Sequence, residues 1–132
     1  MGKIRRFEEL EVWQLAREFA KEVYQITGND FFTKDYRFRD QLRASSGSIM
    51  DNIAEGFERD GRKEFIQFLC ISKGSCGESR SQLYRALDVN YINNEIFERT
   101  FNKAEKISQS LSGFIQYLKQ SEINGLKYKP SV

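Results

Sequence analysis

The sequence predicts an all-α protein, an antiparallel up-down-up-down four-helix bundle, and three observations carry that prediction. Apolar residues recur every three or four positions through four long stretches, the period of a helix rather than a strand. The single proline is Pro130, so nothing interrupts those stretches. Turn-forming residues gather only at the three joints between them, and short joints make consecutive helices antiparallel. A chain of 132 residues suits one domain with one core. The reading assigns 1–120 to the bundle and 121–132 to a C-terminal tail.

The first helix is predicted over Phe7–Thr27, with Val12, Ala16, Phe19, Val23 and Ile26 on its buried face. Thr27-Gly28-Asn29-Asp30 stops it, because glycine takes the left-handed position after a helix cheaply. A loop through Phe31–Asp35 follows, and Asp35 is a candidate cap for a second helix ending near Phe57. Phe38, Leu42, Ser45, Ile49, Ile53 and Gly56 share one side of it. Its middle, Ala44-Ser45-Ser46-Gly47-Ser48, has poor helix propensity. The period runs on unbroken, so the small residues read as room for a close neighbouring helix.

The third helix spans Arg62–Asp88, with Asp60 as a candidate cap and Phe65, Leu69, Ser72, Cys76, Ser79, Leu83 and Ala86 inward. Gly74 and Gly77 lie within it, each costing about 1 kcal/mol against alanine; close helix packing is the expected reason. Asn93 or Asn94 caps the fourth helix, Glu95–Lys119, whose stripe is Phe97, Phe101, Ala104, Ser108, Leu111, Ile115 and Leu118. Ile107, Phe114 and Tyr117 lie beside that stripe. This wide arc predicts a leftover apolar flank that recruits further copies.

Composition narrows the function. Eleven Phe, six Tyr and one Trp argue against disorder. No apolar run is long enough to span a membrane, and Glu8, Glu9 and Glu11 stand where a signal peptide needs its apolar stretch. The expected location is cytoplasmic. Histidine is absent, which removes the commonest general base and metal ligand, and no cofactor or metal is predicted. Cys70 and Cys76 are about 9 Å apart along one helix, too far for a disulfide, and lack zinc-site spacing. They read as small core or interface residues.

Two further motifs fail as chemistry. Gly56–Lys63 resembles a phosphate loop, but its lysine is displaced, no Ser or Thr follows and no strand precedes. Gly74-Ser75-Cys76-Gly77 is one residue short of a hydrolase elbow and has no histidine to activate the serine. The chain reads as a non-enzyme. Polar residues near the apolar stripes are the remaining oddity. Arg43, Asn52, Glu55 and Glu78 either pair inward as a network or lie on solvated faces.

Cations cluster at Lys34, Arg37, Arg39 and Arg43, and again at Arg59, Arg62 and Lys63. Asp35, Asp40, Glu58, Asp60 and Glu64 interleave with them, and the net charge is only +2. In a monomer this is a solvated, salt-laced surface; assembly could gather it onto one face as a nucleic-acid contact.

Several segments together resemble a known family. They are Phe7–Arg17, Arg39–Ala44, Ser48-Ile49, Asn52-Ile53-Ala54-Glu55-Gly56-Phe57, Lys63–Leu69, Gly74-Ser75 and Glu78. In this order, over about residues 7–118, they are similar to the bacterial 23S rRNA intervening-sequence proteins. Asn-Ile-Ala-Glu-Gly is the most specific block, and Met50 stands where the family usually carries proline. The resemblance implies an antiparallel four-helix bundle, a homo-oligomer that is often a pentamer, and no established enzyme activity. Related bundles serve diversity-generating retroelements, where a basic pentamer associates with a reverse transcriptase and RNA. Carried over by position, the polar set becomes Arg43, Ser48, Asn52, Glu55, Gly56, Ser75 and Glu78, a structural network between the second and third helices.

The expectation is therefore a non-catalytic, homo-oligomeric (pentameric) adaptor for RNA or a protein partner. Lys34, Arg37, Arg39, Arg59, Arg62 and Lys63 are its candidate nucleic-acid contacts. The rivals are a purely protein-binding scaffold and a carboxylate-only enzyme at Glu55 and Glu78.

Overall fold

A computed structural model describes residues 3–123, and every regular element among them is helical. The amphipathic stretches form α1 (Glu11–Ile26), a five-residue α2 (Asp30–Lys34), α3 (Tyr36–Glu58), α4 (Arg62–Asp88) and α5 (Asn94–Ile123). Around the bundle the order is α1, α3, α4, α5, with α5 closing back onto α1. Phe65 meets Phe114, Cys76 meets Ala104 and Tyr84 meets Phe97, so α4 and α5 run in opposite directions. The four-helix class read from the periodicity stands.

Two local details depart from it. The first helix does not start at Phe7: Phe7–Glu9 is a 3-10 turn, and the extended, fully buried Leu10 separates it from α1. Phe7 then packs edge-on against Trp13, with ring centres 5.1 Å apart. The loop expected through Phe31–Asp35 contains α2. Asn29 caps it by accepting the Phe32 N–H at 3.0 Å, while Phe32 enters the core against Phe38 and Tyr91.

The serine-rich middle of α3 is continuous helix. Ser46 donates to the Arg43 carbonyl within its own helix, and Ser45 turns across to α4, so neither buried hydroxyl is orphaned. Asp35 caps α3 through the Phe38 N–H, and Asn93 caps α5 through the Ile96 N–H at 2.9 Å. Asp60 caps nothing; Gly61 precedes α4 with φ at 120°, a conformation glycine adopts without a Cβ penalty.

The apolar flank expected on the last helix is largely used within the chain: Ile107 and Phe114 are both buried, Phe114 edge-on to Phe65 at 5.4 Å. Tyr117 stays 38% exposed, and Phe97 and Phe101 are half-buried against the exposed Tyr84. The reason is geometric: α5 touches two neighbours, and two contact lines need a broader arc than one. Close packing within the chain at Gly74 and Gly77 is also overturned. A Cβ at Gly74 would meet nothing within 4 Å, and one at Gly77 only the Arg80 side chain at 3.7 Å. Cys76 is buried and Cys70 exposed, both as free thiols. α5 continues past Lys119 to Ile123, and the rest of the expected tail lies outside the described residues. No helix of the described residues is long and apolar enough to cross a membrane.

Candidate functional site

The α3–α4 seam is where small polar side chains meet. Antiparallel packing sets Ser45, Ser48 and Ile49 of α3 beside Ser79, Ser75 and Ser72 of α4. Ser45 Oγ lies 2.6 Å from Gln82 Oε1, an acceptor, so Ser45 donates there, and Ser79 at 2.9 Å donates to Ser45. Gln82 in turn donates to Glu78 at 3.3 Å. One turn further along, Asn52 Nδ2 donates to the Ser48 carbonyl and hydroxyl, each at 2.8 Å, and Ser75 donates to Ser48 at 3.0 Å. Ser72 donates to the Ile49 carbonyl at 2.9 Å.

Of the polar set named from sequence, the fold brings Ser48, Asn52 and Ser75 into one hydrogen-bonded group, and Glu78 reaches the neighbouring group through Gln82. Arg43 is not there. Its guanidinium crosses to the end of α1, donating to Thr27 Oγ1 at 2.8 Å and the Tyr24 carbonyl at 3.3 Å, and lying 3.7 Å from the centre of the Tyr24 ring. It thereby satisfies a carbonyl that the helix end leaves open. Glu55 points outward and pairs with Arg59 at 2.9 Å. Gly56 takes part by shape alone, under the Phe68 side chain. Sequence reasoning missed Gln82 as a member, and named Ser45, Ser72 and Ser79 only as face positions. Their signal was present: a serine on an apolar stripe must find a hydrogen-bond partner when buried.

Along this seam lies an open groove of about 580 Å³, lined by its own Ser45, Ser48, Ser75 and Gln82 and bordered by Gln41 and Arg85, with Glu78 the one carboxylate. Its chemistry is hydroxyl and carboxamide, with one carboxylate and one guanidinium. Glu55 and Glu78 do not form a carboxylate pair. The register that sets Ser45 against Ser79 places Glu78 nine residues from Glu55 along α3, about 14 Å of helix rise. Among the described residues, no group of three His, Cys, Asp or Glu could hold a metal ion.

The six candidate nucleic-acid contacts fall into two sets. Lys34, Arg37 and Arg39 lie around the start of α3, and Arg59, Arg62 and Lys63 beyond its end. The 23 residues of α3 separate them by about 35 Å, so one chain does not merge them into a patch. Arg59 is held by Glu55 and Glu64 and lies 5.0 Å from the centre of the Phe68 ring. Arg39 pairs with Asp40 at 2.9 Å. Lys34 and Arg37 are exposed at the elbow between α2 and α3.

That elbow is aromatic as well. Phe31 lies nearly parallel to Tyr91, 15° between ring planes and 5.8 Å between centres. The Tyr91 hydroxyl donates to Asp35 Oδ2 at 2.9 Å, and this bond to a carboxylate raises the phenol above its ordinary pKa.

The sequence matches none of the curated proteins. A crystallised protein of unknown function from the S23 ribosomal protein family of Bacteroides thetaiotaomicron has 27% sequence identity to it. The match covers 79% of this chain and 97% of that one, with a TM-score of 0.73. The family model described as 23S rRNA-intervening sequence protein matches residues 8–113, most of the bundle, and the chain belongs to that family.

Proposed function

We propose that the chain is a non-catalytic, cytoplasmic building block that assembles with copies of itself, as a pentamer, into an adaptor whose cargo is RNA. The outer face of the α3–α4 seam carries this reading. Gly47 and Gly74 sit in helix interiors, where each costs about 1 kcal/mol against alanine, yet a Cβ at either would meet nothing within 4 Å. A helix from another copy, seated along the open groove that their sequence neighbours Ser48 and Ser75 border, supplies the close neighbour that their own chain does not. A face that binds a different face of the next copy closes into a ring when the rotation permits. The family name and the exposed cations Lys34 and Arg37 support RNA as cargo.

Light scattering at micromolar concentration tests assembly: a mass several times 15.5 kDa is expected, and a clean monomer ends the proposal. RNA affinity should fall steeply with salt as counterions are released; a flat salt titration removes phosphate contact from the reading. A protein-binding scaffold is the second reading, favoured by the net charge of only +2. Under it, the assembly forms but binds no RNA at any salt concentration.

A further inference from the structure

Each cation set holds a committed arginine, and at the elbow Arg39 pairs with Asp40. Beyond the end of α3, Arg59 is engaged by two carboxylates. At the elbow, Lys34 and Arg37 make no ion pair among the described residues. Asp35, the acid between them, is committed, accepting the Phe38 N–H and the Tyr91 hydroxyl. Asp30, exposed in the first turn of α2, is the nearby acid that tempers the charge.

The same elbow presents flat apolar surface. Phe31 is 57% exposed and Tyr36 58% exposed. Phe31 ends a stack: one side rests on Tyr91, whose ring is fixed by its bond to Asp35 and by edge contact with Phe32 at 5.1 Å. Lys34 follows Phe31 by one helical turn and shares its face, and Arg37 directly follows Tyr36. A rigidly backed aromatic face at Phe31, with the exposed ring of Tyr36 and uncommitted cations at the same elbow, is what a single-stranded nucleic acid requires, with bases stacking and phosphates paired. A duplex buries its base faces and cannot use them.

We infer that the α2–α3 elbow is a base-stacking site for single-stranded nucleic acid, formed by Phe31 and Tyr36 with Lys34 and Arg37. This rests on the reading of RNA as cargo and adds where it binds and in which form.

Fluorescence anisotropy of the full chain with labelled oligoadenylate, oligouridylate and an RNA duplex of equal length tests it. The single strands should bind more tightly than the duplex. Phe31→Ala and Tyr36→Ala should each weaken single-strand binding about tenfold without changing the melting temperature, and Phe31→Trp should retain it. Lys34→Gln with Arg37→Gln should flatten the salt dependence. If the aromatic variants bind single strands as the parent does, or the duplex binds best, the elbow is not the site, and the RNA-adaptor reading survives. If the parent protein binds no strand even at low salt, the RNA cargo and this site fall together, while the mass measurement still decides assembly.

Discussion

Phe68 covers Gly56 so closely that a Cβ at position 56 would lie 2.5 Å from the Cβ of Phe68 and 3.1 Å from Cδ1 of Phe65. The atom that would have to yield is at the root of the Phe68 side chain, so no rotamer change relieves the clash. Gly56→Ala should therefore cost about 1–3 kcal/mol through separation of α3 from α4. Urea unfolding checks this; an unchanged midpoint would mean the helices sit further apart than described.

Gly74→Ala should act in the opposite sense on the chain alone. Nothing stands within 4 Å of the added carbon, so the gain is helix propensity, about 1 kcal/mol. If the α3–α4 face receives another copy, the same methyl group lowers the mass seen by light scattering. A variant that melts higher and assembles as before would place the interface elsewhere.

Ser45→Ala removes the hydroxyl that serves both Ser79 and Gln82 and leaves two buried polar groups short of a partner. The expected loss is about 1–3 kcal/mol. Ser45→Ala combined with Ser79→Ala should lose less than the sum of the two single changes, since the contact can be lost only once. Additive losses would show that the two hydroxyls are not coupled.

The thiols should separate under labelling. Burial pushes Cys76 up to about 11, and its Sγ lies 3.0 Å from the Ala104 carbonyl, whereas Cys70 is exposed. Iodoacetamide at neutral pH should modify Cys70 alone in the folded protein and both residues after unfolding. The linkage follows from the raised value. Stability from the neutral Cys76 thiol is complete below the unfolded thiol's pKa, near 8.5, and is lost as pH rises towards about 11. Cys76→Ser should change this alkaline limb of the stability curve; equal labelling of both thiols in the folded state would contradict the burial.

Much of the fold was legible before any coordinates, and the reason is period. Val12, Leu42, Leu69 and Leu111 fell on the buried faces because a helix repeats every 3.6 residues whatever it packs against. Asp35 and Asn93 could be named as caps because an end with open N–H groups needs a short side-chain acceptor. The break at Leu10 and the short α2 were not legible, because the buried Leu10 and Phe32 side chains, rather than local propensity, fix them.

The site was read less completely, for a different reason. Periodicity states which side of a helix faces inward, but not which residue of which neighbour stands opposite. Ser48, Asn52 and Ser75 share a seam, yet Arg43, on the same helix, reaches the end of α1. Gly56 and Gly74 are the same residue with opposite fates, one under a phenylalanine and one facing open space. Sequence by itself determined that this chain forms four amphipathic helices joined by short turns. Only the tertiary structure decided their partners, because the rotation and axial register of packed helices are set by side chains distant in sequence.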